Sequence, residues 1–79
     1  ADLHFTPKAA RWVADEEWHP AQQGDWLADG SWRLRFPYHR DEELLMDLLR
    51  HGADVEVMAP ATLRAAMQTP LQTALARYS

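Results

Sequence analysis

The chain has 79 residues, 47 % of them hydrophobic and 25 % charged, with 8 Lys and Arg against 12 Asp and Glu for a formal charge of -4. A chain this short buries only about 60–65 % of the surface it exposes when unfolded, enough for one modest core and no deep cleft. The composition excludes disordered and low-complexity classes, the absence of cysteine excludes disulfides and thiolate metal sites, and the acidic balance excludes a surface that clamps duplex DNA as a whole.

Leu3 and Phe5 alternate with Asp2 and His4, which predicts a first strand with one inward face. Thr6-Pro7 then starts a helix, Thr as cap and Pro at a first position that needs no amide. The helix is predicted over 7–17, with Ala9, Trp12 and Val13 inward and Trp12 as a core anchor. Trp18-His19-Pro20 ends it, and 21–24 is a polar connector. Over 25–37 two strand-like runs flank Asp29-Gly30, the pair favoured in a two-residue type I′ turn. That turn pairs Leu27 with Trp32, Trp26 with Arg33 and Asp25 with Leu34. Leu27, Trp32, Leu34 and Phe36 then share one face, and Trp26, Arg33 and Arg35 the other.

Asp41-Glu42-Glu43 place carboxylates at the positive end of a second helix. Its stripe of Leu44, Leu45, Leu48 and Leu49 runs to Gly52, the expected left-handed cap. Val55 and Val57 alternate with Asp54, Glu56 and Met58 in a last strand over 53–59. Leu63, Met67, Leu71, Leu75 and Tyr78 recur at helical spacing in a C-terminal segment, which Pro70 is expected to kink or to restart with Thr69 as cap.

This order predicts an α+β fold in one domain over residues 1–79: a ferredoxin-like βαββαβ with an extra C-terminal helix, its four-stranded antiparallel sheet carrying helices on one face. The first and third strands are then central. His4, Trp26, Arg33, Arg35, Glu56 and Met58 project from the helix-free face. The longest apolar runs, such as Leu44-Leu45-Met46, are far too short to span a membrane, and no basic-then-apolar leader opens the chain. A soluble cytoplasmic protein is expected. Because the chain begins at Ala1 and has Met only at 46, 58 and 67, it is expected to be a piece of a longer one.

Taken in order, Trp18-His19-Pro20-Ala21-Gln22, Asp29-Gly30-Ser31, Asp41 with Glu43-Leu44, Leu48-Leu49-Arg50-His51-Gly52, Val55-Glu56-Val57-Met58-Ala59-Pro60 and Leu63-Arg64 resemble the C-terminal extension, or WCX, domain of WYL-domain transcriptional regulators. In those proteins a winged helix-turn-helix and an Sm-like WYL barrel precede this module. The resemblance implies a ferredoxin-like module that helps the regulator form homodimers and cooperates with the barrel in sensing an effector, a nucleic-acid fragment or nucleotide. Neither the winged helix nor the barrel is present in these residues, and Ala21 stands where the family commonly has serine.

Trp26, Arg33 and Arg35 are the candidate contact residues. A Trp beside two arginines offers stacking for a base and charge for a phosphate. The same residues fit a cross-strand cation–π pair on a solvated face, or a docking surface for a partner subunit. His4, His19, His39 and His51 are too far apart in sequence for a local metal-ligand pair, so no metal is expected. His19 fits a loop-fixing hydrogen-bond partner and His51 a last-turn helix cation. No GxGxxG, Walker A, GxSxG or HExxH pattern occurs, so neither an enzyme nor a cofactor is expected. The C-terminal stripe is either core cover or an interchain helix. The chain is thus expected to be a regulatory and dimerisation module; the alternative is a stand-alone sheet-face binder of single-stranded nucleic acid or a nucleotide.

Overall fold

The computed structural model describes residues 1–79. Its elements are β1 (Asp2–Phe5), α1 (Pro7–Val13), β2 (Gln23–Trp26), β3 (Trp32–Arg35), α2 (Asp41–His51), β4 (Val55–Ala59) and α3 (Ala61–Arg77), with a 3-10 turn at Gly52–Asp54 before β4. The strands form one antiparallel sheet in the order β2-β3-β1-β4. With its helical crossovers, this is the ferredoxin-like arrangement with an extra C-terminal helix. No helix is long and apolar enough to cross a membrane.

Leu3 and Phe5 of β1, Leu34 of β3 and Val57 of β4 fill the inward face and pack with Ala9, Val13, Leu44, Leu48, Leu63 and Met67 from the three helices. Thr6 caps α1 as expected, its Oγ1 accepting the Ala9 amide at 3.4 Å. Its own amide donates to the Asp54 carbonyl and its hydroxyl to the Asp54 carboxylate, at 2.9 and 3.0 Å. The start of α1 is thereby tied to the turn that feeds β4.

α1 stops at Val13, short of the predicted end, and buries Ala9, Ala10 and Val13. Trp12 is 50 % exposed and is not a core anchor. At about 100° per residue it falls on the flank of that small-residue face. The two alanines also let the helix lie close to the sheet, where an indole would not fit. Trp18 takes the vacant core position instead, its ring 5.7 Å from that of Phe5, 6.0 Å from Phe36 and 5.7 Å from His51.

The β2–β3 hairpin exists, but not in the predicted register. Trp26 stands opposite Trp32, Asp25 opposite Arg33, Gly24 opposite Leu34 and Gln23 opposite Arg35. Within the turn only Gly30 has positive φ, +88°, so Asp29 does not adopt the type I′ conformation. The amides of Leu27 and Gly30 donate to the carbonyls of Ser31 and Leu27, closing a three-residue loop with glycine at its left-handed last position. The Asp29 carboxylate accepts the amide and hydroxyl of Ser31, which fixes that loop. These bonds hold the Asp29 carboxyl below its usual pKa.

α2 carries its acidic first turn and buries Leu44 and Leu48, with Leu45 and Leu49 packed partly against the core. Gly52 ends it with positive φ as expected, but at φ 56° and ψ -119°, the mirror-β region rather than the left-handed helical one. The 3-10 turn delays β4 to Val55. Asp2 pairs with Ala59 while Leu3 pairs with Val57, so Met58 is the extra residue of a bulge. α3 runs unbroken through Pro70; there is no fresh start at Thr69, whose carbonyl instead accepts the Thr73 hydroxyl at 3.0 Å.

Trp32 lies across Gly24, where an added Cβ would come within 2.0 Å of its ring. Gly24→Ala is expected to displace the indole and destabilise the domain by about 1–3 kcal/mol, measured by urea unfolding followed by tryptophan fluorescence.

Candidate functional site

The helix-free face presents Asp2 and His4 from β1, Asp25 from β2, Arg33 and Arg35 from β3 and Glu56 from β4, each displaced by one residue from an inward-facing position. Arg33 grips Asp2 bidentately, Nε to Oδ1 at 3.1 Å and Nη2 to Oδ2 at 2.8 Å. Arg35 reaches Asp25 at 3.3 Å. Arg64 of α3 donates to Glu56 at 2.8 Å and to the Val57 carbonyl at 3.0 Å. Each arginine therefore answers a carboxylate, and the face carries paired charge rather than a basic field.

Arg33 and Arg35 are together on this face as expected, and Trp26 is not with them. Its register opposite Trp32 turns it to the helix side, where the two rings meet edge to face with centroids 4.9 Å apart. The anticipated contact between Trp26 and Arg33 is replaced by Trp26–Trp32 and Arg33–Asp2. Trp26 remains 60 % exposed because no helix extends over β2.

The Trp18–Gln22 loop is built by side chains. Gln22 Oε1 accepts the amides of Trp18 and His19 at 2.6 and 3.2 Å, and its Nε2 donates to the Glu16 carbonyl at 3.1 Å. His19 Nδ1 accepts the Ala21 amide at 2.9 Å, the loop-fixing role expected of it, while its ring stacks on Phe36. His51 ends α2 with its ring edge-on to Phe5 at 5.4 Å, so it is also an aromatic packing partner. The sequence reading missed the part played by Gln22, although a Gln shortly after a helix end in a proline-containing loop offers both a donor and an acceptor for stranded backbone groups.

Leu63 and Met67 of α3 are buried, whereas Leu71, Leu75 and Tyr78 on the same stripe are 41 %, 70 % and 90 % exposed. Core cover therefore describes only the first half of that stripe. Hollows on the surface are open; the largest, about 510 Å³, lies between Asp2, Arg35, Tyr38 and Pro60. No group of three His, Asp or Glu side chains converges in a metal-binding arrangement.

The family model of the WCX domain matches residues 1–75. The chain belongs to the WCX domain family, whose context implies a WYL-domain regulator as the parent protein. A search of curated proteins finds no match.

Gln22→Ala strands three backbone groups and is expected to destabilise the domain by about 1–3 kcal/mol and loosen Trp18, read by urea unfolding and fluorescence. The hydrogen bonds and charge of Arg33 hold the Asp2 carboxyl below its usual pKa. The unfolded chain therefore takes up that proton at higher pH than the folded one. The stabilisation from Asp2 is full above the ordinary carboxylate range and falls as pH drops towards the depressed folded value. Asp2→Asn is expected to flatten this acid limb in a series of denaturation curves from neutral pH downwards.

Proposed function

We propose that the chain is the C-terminal assembly and regulatory module of a WYL-domain transcriptional regulator. It acts by contact, without catalysis, joining the WYL barrel and winged helix-turn-helix of the parent into a cytoplasmic homodimer that responds to its effector. The observation that carries this reading is the uncovered half of α3. Leu71, Leu75 and Tyr78 prolong a stripe whose first half is buried, and the chain leaves them progressively uncovered, Leu71 in part and Leu75 and Tyr78 for the most part. An apolar helix face left open in this way fits a surface that other domains or subunits cover. In the parent regulator, amides along 71–78 are expected to exchange more slowly than in the isolated chain. Combining Leu71→Asp with Leu75→Asp is expected to remove that protection and weaken subunit association by at least about tenfold in sedimentation experiments. Equal exchange in the two contexts and unchanged association would refute the reading.

The ion pairs of the open face oppose direct binding of single-stranded nucleic acid or a nucleotide there, since Arg33 and Arg35 are already committed to Asp2 and Asp25. Fluorescence anisotropy of a labelled single-stranded DNA at two salt concentrations is expected to show no salt-sensitive binding by this chain. Salt-sensitive binding that disappears on combining Arg33→Glu with Arg35→Glu would instead assign effector recognition to the sheet face.

A further inference from the structure

The two edges of the sheet are finished differently. The Leu27 amide donates to the Ser31 carbonyl at 2.9 Å, and hydrogen-bonded pairs alternate along an antiparallel ladder. Gln23 and Asp25 therefore turn their backbone groups towards β3, while Gly24 and Trp26 turn theirs outwards. Every β2 residue is exposed. At the opposite edge, Arg64 takes the outward carbonyl of Val57, and α3 lies alongside, with Met67, Gln68 and Leu71 walling a hollow of about 130 Å³ beside Val55 and Val57. β4 is thus obstructed. β2 has no lysine, proline or bulge to guard it, only Asp25, whose charge Arg35 answers.

We propose that the β2 edge receives a second copy of this chain, the two β2 strands pairing antiparallel about a two-fold axis at Gly24 to form one eight-stranded sheet. This rests on the assembly role proposed above and adds to the α3 face, which other parts of the parent cover, a second and separate contact through which two copies of this module pair. The chemistry of the strand selects both the partner and the register. An axis at Asp25 would set that carboxylate against its own copy, a like-charge pair. An axis at Trp26 would set Gly24 against Ala28, where the chain is already turning into the hairpin loop. The axis at Gly24 sets Asp25 against Gln23 of the second copy, where the amide donors of that glutamine meet the carboxylate, and Trp26 against Gln22, whose amide is held by the His19 carbonyl and whose own carbonyl is left to accept the Trp26 amide. Both contacts are made twice, as a two-fold interface requires. Glycine at the axis adds no side chain, and the Trp32 ring already roofs it on the helix side. Trp26 and Trp32 of the two copies then form one apolar band along the join.

Sedimentation velocity and amide hydrogen exchange of the 79-residue chain over a concentration series test this. A single strand pair is a small interface, so dimers are expected at the upper end of the series. As they form, exchange at Gly24 and Trp26 is expected to slow by at least about tenfold. Trp26→Pro removes an outward N–H and is expected to leave the chain monomeric, whereas Trp26→Val keeps that donor and dimerises. Urea midpoints report whether each variant is folded. The Leu71→Asp, Leu75→Asp variant is expected to retain the dimer and its protected amides. A chain monomeric throughout would overturn the proposal. So would a dimer whose Gly24 and Trp26 amides exchange at the monomer rate, and in that case the assembly role would stand with its contact elsewhere.

Discussion

The loop between β2 and β3 sets the chemistry of both faces of the sheet. Gly30 supplies the one left-handed residue, and Asp29 binds Ser31 across the turn, so the strands leave the loop with Trp26 opposite Trp32 and Asp25 opposite Arg33. Side chains alternate, so this register sends the indoles to one face and the ion pairs to the other. It brings Trp32 over Gly24, where no other residue fits without moving the ring. It also sets Asp25 within reach of Arg35, which removes the excess positive charge the face would otherwise carry.

A second constraint comes from the shortness of α1. Two alanines press the helix onto the sheet, but its seven residues cannot roof the whole inward face. The following loop supplies the missing cover by inserting Trp18 among Phe5, Phe36 and His51. An irregular segment can do this only if its backbone polar groups are satisfied, and Gln22 and His19 meet that need with four hydrogen bonds. β2 lies beyond this cover, and its residues are correspondingly exposed.

Much of the architecture was legible in the sequence. Leu3 and Phe5 in β1, Thr6-Pro7 at the start of α1, and the leucine stripe ending at Gly52 each combine a period with a stop or start signal, and each appears where those signals put it. The hairpin was visible but its register was not. Asp29-Gly30 suits a two-residue turn and equally a three-residue loop in which only glycine has positive φ, and side-chain bonds from Asp29 to Ser31 favour the longer one. That single step moved Trp26 off the face assigned to it, while Arg33 and Arg35 stayed because β3 kept its own alternation. Trp18 holds the core position expected of Trp12 for a different reason: periodicity identifies a helix face but not how closely that face approaches the sheet.

Pro70 divides α3 between its docked and its open halves. Leu63 and Met67 are anchored on one side of it, and Arg64 ties that half to β4 through Glu56 and Val57. Leu71, on the other side, still borders β4, and Leu75 and Tyr78 beyond it are largely exposed. Proline has no amide to give, so the Ala66 carbonyl lacks its helical partner at this boundary, and bending there breaks fewer hydrogen bonds than elsewhere along the helix. The far end of α3 is thus a lever with its softest point at the fulcrum. A load placed on Leu75 or Tyr78 tilts that arm without prying the anchored turns from the core.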